Sequence, residues 1–169
     1  AGPSQVHPDV LKVMSNITIG HLDPAMLVMM DELKDMLRYI FQTNNSMTFP
    51  VSGPGSLGME ACVNNMVEPG DKVLICINGV FGGRMAEVTR RAGAEVVTTE
   101  DDWGKPVDPD KVRKAFSENP DIKHMGFVHA ETSTGVLSDA ANLCQIAKEN
   151  KAFIIMDTVT SLAGVPVQV

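Results

Sequence analysis

Two polar clusters follow apolar runs in the C-terminal half of the sequence: His129-Ala130-Glu131-Thr132-Ser133-Thr134-Gly135 after Gly126-Phe127-Val128, and Asp157-Thr158-Val159-Thr160-Ser161 after Phe153-Ile154-Ile155-Met156. If both runs are strands of one parallel sheet, their carboxyl ends deliver hydroxyls and the Asp157 carboxylate to a single crevice, where α/β proteins bind ligands. A third segment, Gly53-Pro54-Gly55-Ser56-Leu57-Gly58, opens a helical pattern. Gly55 and Ser56 at a helix N-terminus expose backbone N–H groups and the positive end of the dipole, which suits a phosphate, although a purely structural glycine turn has the same residues. The segment also spells G-x-G-x-x-G. A dinucleotide fingerprint, however, needs a firm preceding strand and an acidic residue closing the next one. Thr48-Phe49-Pro50-Val51 is broken by proline, and Asp71 precedes its strand. Phe81, in Asn78-Gly79-Val80-Phe81-Gly82-Gly83-Arg84, is expected on a glycine-rich turn, where it either stacks on a planar ligand or fills the core.

The elements that must position these groups alternate. A long amphipathic helix is predicted from Pro24 to Gln42, capped by Asp23, with Met30, Leu33, Leu37 and Ile40 at helical spacing. Then come a short Met47-to-Val51 strand, a helix over 56–67, a buried strand over 72–77, a helix over 83–92 and a strand over 95–99. Asp108-Pro109 starts a further helix, followed by a strand ending near Val128, a helix over 139–149 and a strand ending near Met156. Strands separated by helices of this length are βαβ units, so the expected class is α/β, a three-layer α/β/α arrangement with a mostly parallel sheet.

The chain has 169 residues, 44% of them hydrophobic, enough for one substantial domain. No apolar run approaches the ~20 residues of a membrane helix, and no signal-peptide pattern opens the chain, so neither membrane nor secretion is expected. The net charge of −7, without a basic stripe, argues against nucleic acid as a partner. Cys62, Cys76 and Cys144 are odd in number and apolar in context, which predicts reduced core thiols and no metal site. The four methionines between Met26 and Met36 are expected to fill core in preference to forming a partner-binding stripe, and the broad apolar face of their helix is expected to be covered either by the sheet or by a second subunit.

Taken in order, several motifs resemble the class V aminotransferases of the pyridoxal-phosphate fold type I group, in the branch of alanine–glyoxylate and serine–glyoxylate (serine–pyruvate) aminotransferases. They are Gly2-Pro3-Ser4 with Val6-His7-Pro8, Ile19-Gly20-His21-Leu22-Asp23-Pro24, the Ser52-to-Glu60 glycine loop, Gly79-Val80-Phe81-Gly82, His129-to-Val136 and Asp157-Thr158-Val159-Thr160-Ser161-Leu162. The resemblance implies pyridoxal 5′-phosphate as cofactor. Gly55 and Ser56 would hold its phosphate, Phe81 would cover one face of its ring, Thr132 would lie near the ring oxygen, and Asp157 would pair with the pyridine nitrogen. A carboxylate there keeps the nitrogen protonated and strengthens the ring as an electron sink. His129 is expected to be structural. The sequence departs from the family at two of these positions. Pro54 stands where Thr or Ser is usual and offers neither hydroxyl nor N–H; Phe81 stands where many relatives have Trp.

No lysine follows Asp157, and Lys151 precedes it, so the family's Schiff-base lysine has no counterpart in this chain. The resemblance therefore implies an N-terminal fragment, inactive alone: an N-terminal arm and first long helix over 1–45 and the first part of the large cofactor domain over 46–169. The rest of that domain and the small domain would lie elsewhere. The intact protein is expected to transfer an amino group between a small amino acid, alanine or serine, and a 2-oxo acid, glyoxylate or pyruvate. A homodimer in the cytoplasm is expected, or in a peroxisome or mitochondrion of a eukaryote. The alternatives are a cysteine desulfurase or lyase on the same scaffold, and a non-catalytic fragment or split subunit.

Overall fold

The computed structural model describes residues 2 and 4–169, so Pro3 of the Gly2-Pro3-Ser4 motif lies outside the described residues. Along the chain the elements are α1 (Pro8–Met14), α2 (Pro24–Phe41), α3 (Gly55–Met66), β1 (Lys72–Ile77), α4 (Val80–Arg91), β2 (Glu95–Glu100), α5 (Pro109–Glu118), β3 (Ile122–Val128), β4 (Ala130–Glu131), β5 (Val136–Leu137), α6 (Ala140–Glu149) and β6 (Phe153–Asp157). Four strands form one parallel sheet in the order β2-β1-β3-β6. Val73, Leu74, Ile75 and Cys76 of β1 are all fully buried, the unbroken apolar run of a strand covered on both faces.

Helices cover both faces. On one, Val112 and Phe116 of α5 and Leu143 and Ile146 of α6 pack with Leu74, Met125 and Phe127. On the other, Met59 and Val63 of α3 and Met85 and Ala86 of α4 pack with Val73, Ile75, Val128 and Ile155. The expected three-layer α/β/α arrangement is the one observed. Caps set the helix starts as the sequence indicated: Asp23 accepts from the Ala25 N–H (2.8 Å) and Asp108 from the Asp110 N–H (2.9 Å).

Several expectations are corrected. Met47–Val51 forms no strand and pairs with neither sheet edge, since Pro50 removes a ladder donor. The methionine-rich α2 fills no core: it carries no buried residue, and Met29 and Met36 are 51% and 59% exposed. Its amphipathic spacing was correct, but spacing does not say what covers the face. Of the three free cysteines only Cys76 is a core thiol, its pKa pushed up to about 12 by burial; Cys62 is exposed and Cys144 half-buried. The short helix α1 and the β4–β5 hairpin had no forecast. Among the described residues no helix is long and apolar enough to cross a membrane.

Phe127 is fully buried between the sheet and the α5–α6 layer, in the same core as Phe116. Phe127→Ala in the full-length protein should cost about 3–5 kcal/mol of stability, read as a lower denaturation midpoint.

Candidate functional site

The N-terminus of α3 is open. Pro54 takes the N-cap position with extended backbone and makes no side-chain cap. Its carbonyl accepts from Leu57 N–H (2.8 Å) and Gly58 N–H (3.4 Å), while the N–H groups of Gly55 and Ser56 find no acceptor among the described residues. This leaves two donors and the positive helix end facing outward. Beside them, Arg84 Nη1 donates to Ser56 Oγ (2.8 Å), and the same guanidinium lies over the Phe81 ring, 4.8 Å from its centroid.

The N-terminus of α4 is closed. Glu131 is fully buried, and its carboxylate accepts from Phe81 N–H (3.2 Å), Gly82 N–H (3.2 Å), Ser133 N–H (3.1 Å) and Ser133 O–H (2.7 Å). Val80 N–H donates to Ser133 Oγ (3.0 Å). The first-turn donors of α4 are thus capped by residues some fifty positions away rather than by Gly79, which makes no cap bond. A glycine is required there because a Cβ at 79 would meet Glu131 Cγ, Glu131 Cδ (2.6 Å) and Ser133 Oγ (2.6 Å). The expectation that Phe81 sits on a flexible turn is therefore corrected: it is a half-buried residue in the first turn of α4. Gly82 serves close packing, since a Cβ would lie 3.0 Å from Cys76 O and Ile77 Cα.

β3 and β6 run side by side with Val128 opposite Asp157, and His129 N–H donates to Asp157 O (2.9 Å). Asp157 Oδ1 accepts from Val159 N–H (2.9 Å), a bond within the turn, and leaves the other oxygen outside it. The Thr132 and Thr160 hydroxyls share a hydrogen bond. His129 is buried, with Nδ1 3.0 Å from Ser161 Oγ, the structural role expected of it.

Gly55, Ser56, Phe81, Thr132 and Asp157 are thereby joined in one circuit of contacts. α3 meets α4 through Ser56 and Arg84, α4 meets β4 through Phe81 and Glu131, and the residue after β4, Thr132, meets the loop after β6 at Thr160. That loop returns to α3 where Val159 packs against Gly55, 3.2 Å from the place a Cβ would take. Sequence reasoning missed Arg84, Ser133, Val159 and Thr160 as linking residues and gave Glu131 no role. The one available signal was Glu131 itself, a lone acid among hydroxyls after a buried strand. A separate cavity of about 400 Å³ lies beyond β2, lined by Asp101, Asp102, Lys105 and Lys111, whose charges pair with one another (Lys111–Asp101 2.6 Å, Lys105–Asp102 2.7 Å). Among the described residues no cluster of His, Cys, Asp or Glu could hold a metal ion.

A parallel sheet sheathed on both faces, with glycine, hydroxyl and carboxylate groups gathered beyond its strand ends, is a ligand-binding α/β domain. Comparison with known proteins narrows that class. Residues 1–169 match the family Aminotransferase class-V. An alanine–glyoxylate aminotransferase of Drosophila melanogaster is 39% identical over 164 residues, covering 96% of this chain and 41% of that protein. An (S)-ureidoglycine–glyoxylate transaminase of Bacillus subtilis is 39% identical over 169 residues, covering 99% of this chain and 40% of that protein. The solved structure of an alanine–glyoxylate aminotransferase from Nostoc sp. has a TM-score of 0.94 at 43% identity, covering 98% of this chain and 44% of that one. The chain belongs to the class-V aminotransferases, a family that implies pyridoxal phosphate as cofactor, and it has the expected fold type I architecture. It spans about two fifths of the length of the curated relatives it matches.

Gly79→Ala should force Glu131 and Ser133 off α4, lowering stability by about 1–3 kcal/mol, measured as a fall in Tm. Burial also holds the His129 imidazole below its usual pKa of 6.5. It is neutral in the folded state and takes a proton more readily once unfolded, so its contribution is complete above the unfolded pKa and is lost as pH falls below it. Tm should therefore drop between about pH 7.5 and about pH 5.5, and His129→Gln should remove part of that drop, the remainder including buried His124, which is shifted the same way.

Proposed function

We propose that the full-length protein carrying this chain is a pyridoxal-phosphate-dependent aminotransferase that moves an amino group from alanine or serine to glyoxylate or pyruvate. The observation that carries this reading is the pairing of an open helix N-terminus at Gly55 and Ser56 with the Asp157 carboxylate, linked through the Val159–Gly55 contact. These residues fit the cofactor: the open N–H groups suit its phosphate, and the Asp157 oxygen outside the turn suits a pyridinium N–H. The glyoxylate-linked names of the relatives favour transamination over sulfur removal from cysteine on the same scaffold.

When bound, the cofactor supplies an electron sink for the carbanion that transamination requires. The chain's own residues orient it. Gly55 and Ser56 donate backbone N–H groups to the phosphate, and the Ser56 hydroxyl with Arg84 stands where Pro54 contributes nothing. Phe81 covers one face of the ring, Thr132 offers its hydroxyl to the ring oxygen, and Asp157 holds a proton on the ring nitrogen. The lysine and the substrate-binding groups belong to sequence outside this chain. Residues 46–169 are the first part of the large cofactor domain, and residues 1–45 are an arm and helix that reach a second copy of the protein. Exposed Val10, Leu11, Val13 and Met14 of α1 and Leu27 and Met29 of α2 support that homodimer.

Addition of pyridoxal phosphate to the full-length protein should give a visible absorption band that changes on adding alanine or serine, and alanine with glyoxylate should yield pyruvate and glycine. A band indifferent to every small amino acid overturns the reading, and sulfide release from cysteine replaces it with desulfuration. Asp157→Asn should slow the amino-donor half-reaction by about tenfold to a hundredfold, as expected for losing a charged hydrogen bond, in single-turnover measurements.

A further inference from the structure

The two helix N-termini at the strand ends are treated differently by the sequence, and the difference is informative. A local Ser, Asn or Asp at position 79 is the ordinary way to cap α4. Gly79 stands there instead, and the donors of Val80, Phe81 and Gly82 go to Ser133 and Glu131. A local cap would satisfy the same N–H groups, but it would not tie α4 to β4. Nor is Glu131 needed to dock α4 on the sheet, because Met85, Ala86 and Gly82 already pack it against β1 and β3. What the distant carboxylate adds is the placement of one turn, the turn from which Phe81 projects, against the residue immediately before Thr132.

We propose that Glu131 is a positioning residue for the cofactor ring: its buried carboxylate fixes Phe81 relative to Thr132 and so sets the slot that receives the ring. This rests on the aminotransferase reading and names what holds that site in shape. Glu131 Oε2 accepts from the N–H groups of Phe81 and Gly82, both at 3.2 Å, while Oε1 accepts from the N–H and O–H of Ser133 at 3.1 and 2.7 Å. The same side chain therefore bonds the stacking residue on one side and the hydroxyl-bearing segment on the other. Through the Thr132–Thr160 bond the link continues to the loop that follows Asp157. Glu131 acts through these residues and does not itself touch the ring.

The test is a double-mutant cycle on the full-length protein, with the dissociation constant for pyridoxal phosphate read by titration and visible circular dichroism reporting ring placement. Glu131→Gln keeps the volume but turns one acceptor into a donor, and should weaken cofactor binding about tenfold with an altered dichroic band. In a Phe81→Leu background the same change should weaken binding less than about twofold, because the residue it positions is gone. Equal losses in both backgrounds show that Glu131 acts only on general stability and overturn the proposal, as does unchanged affinity in Glu131→Gln. If Glu131→Gln does not fold, Ser133→Ala replaces it in the cycle. It removes one donor and the relay to Val80, and should weaken binding about threefold in the wild-type background and not in Phe81→Leu. Additivity or no loss there overturns the proposal. A wild-type protein that takes up no cofactor refutes the aminotransferase reading itself, whereas uptake by wild type with an additive cycle refutes the Glu131 role alone.

Discussion

A carboxylate leaves water only where donors replace the solvent it loses, and the cost of an unreplaced one is several kcal/mol, on the order of the stability of a whole domain. Glu131 meets this condition with donors drawn from two separate elements, the first turn of α4 and the segment after β4. Neither element can shift without stranding the charge. The ends of β1 and β3 are therefore held in register by one side chain in addition to the strand ladder, and the rest of the site is built outward from that pair.

The consequence is a division of labour between two helices on the same face of the sheet. α4 has its positive end filled by the protein's own carboxylate, while α3 keeps its end for something else. Proline at the α3 cap is part of that arrangement, because it carries no side chain able to fold back on the Gly55 and Ser56 donors. Arg84 adds positive charge at the same place, which is unfavourable beside a helix N-terminus unless an anion neutralises both.

The sheet and its helices were legible because buried parallel strands are unbroken apolar runs and because Asp23, Asp108 and Pro109 mark helix starts locally. Asp157 and Thr132 were legible as positions, since polar residues that end apolar strands must gather at one edge. What failed depended on partners distant in sequence. Met47–Val51 had strand-like composition but no neighbour to pair with. α2 had a core-like stripe, yet Met30, Leu33 and Leu37 are only half-buried among the described residues. Phe81 read as a loop residue because its flanking glycines suggested flexibility, whereas they serve close approach to Glu131 and to β1. Glu131 was visible as a residue and invisible as a cap, since its acceptors' partners lie about fifty residues earlier.

The strand order β2-β1-β3-β6 also bears on how the protein reaches its native state. β1, α4 and β2 form a short-range βαβ unit whose closure costs little entropy, while the pairing of β1 with β3 and of β3 with β6 waits on longer loops. The clasp between α4 and β4 belongs to the later, long-range stage. The first turn of α4, with Phe81 in it, is therefore completed from outside its own βαβ unit: its N–H groups find Glu131 and Ser133 only once β3 has joined the sheet and carried β4 alongside.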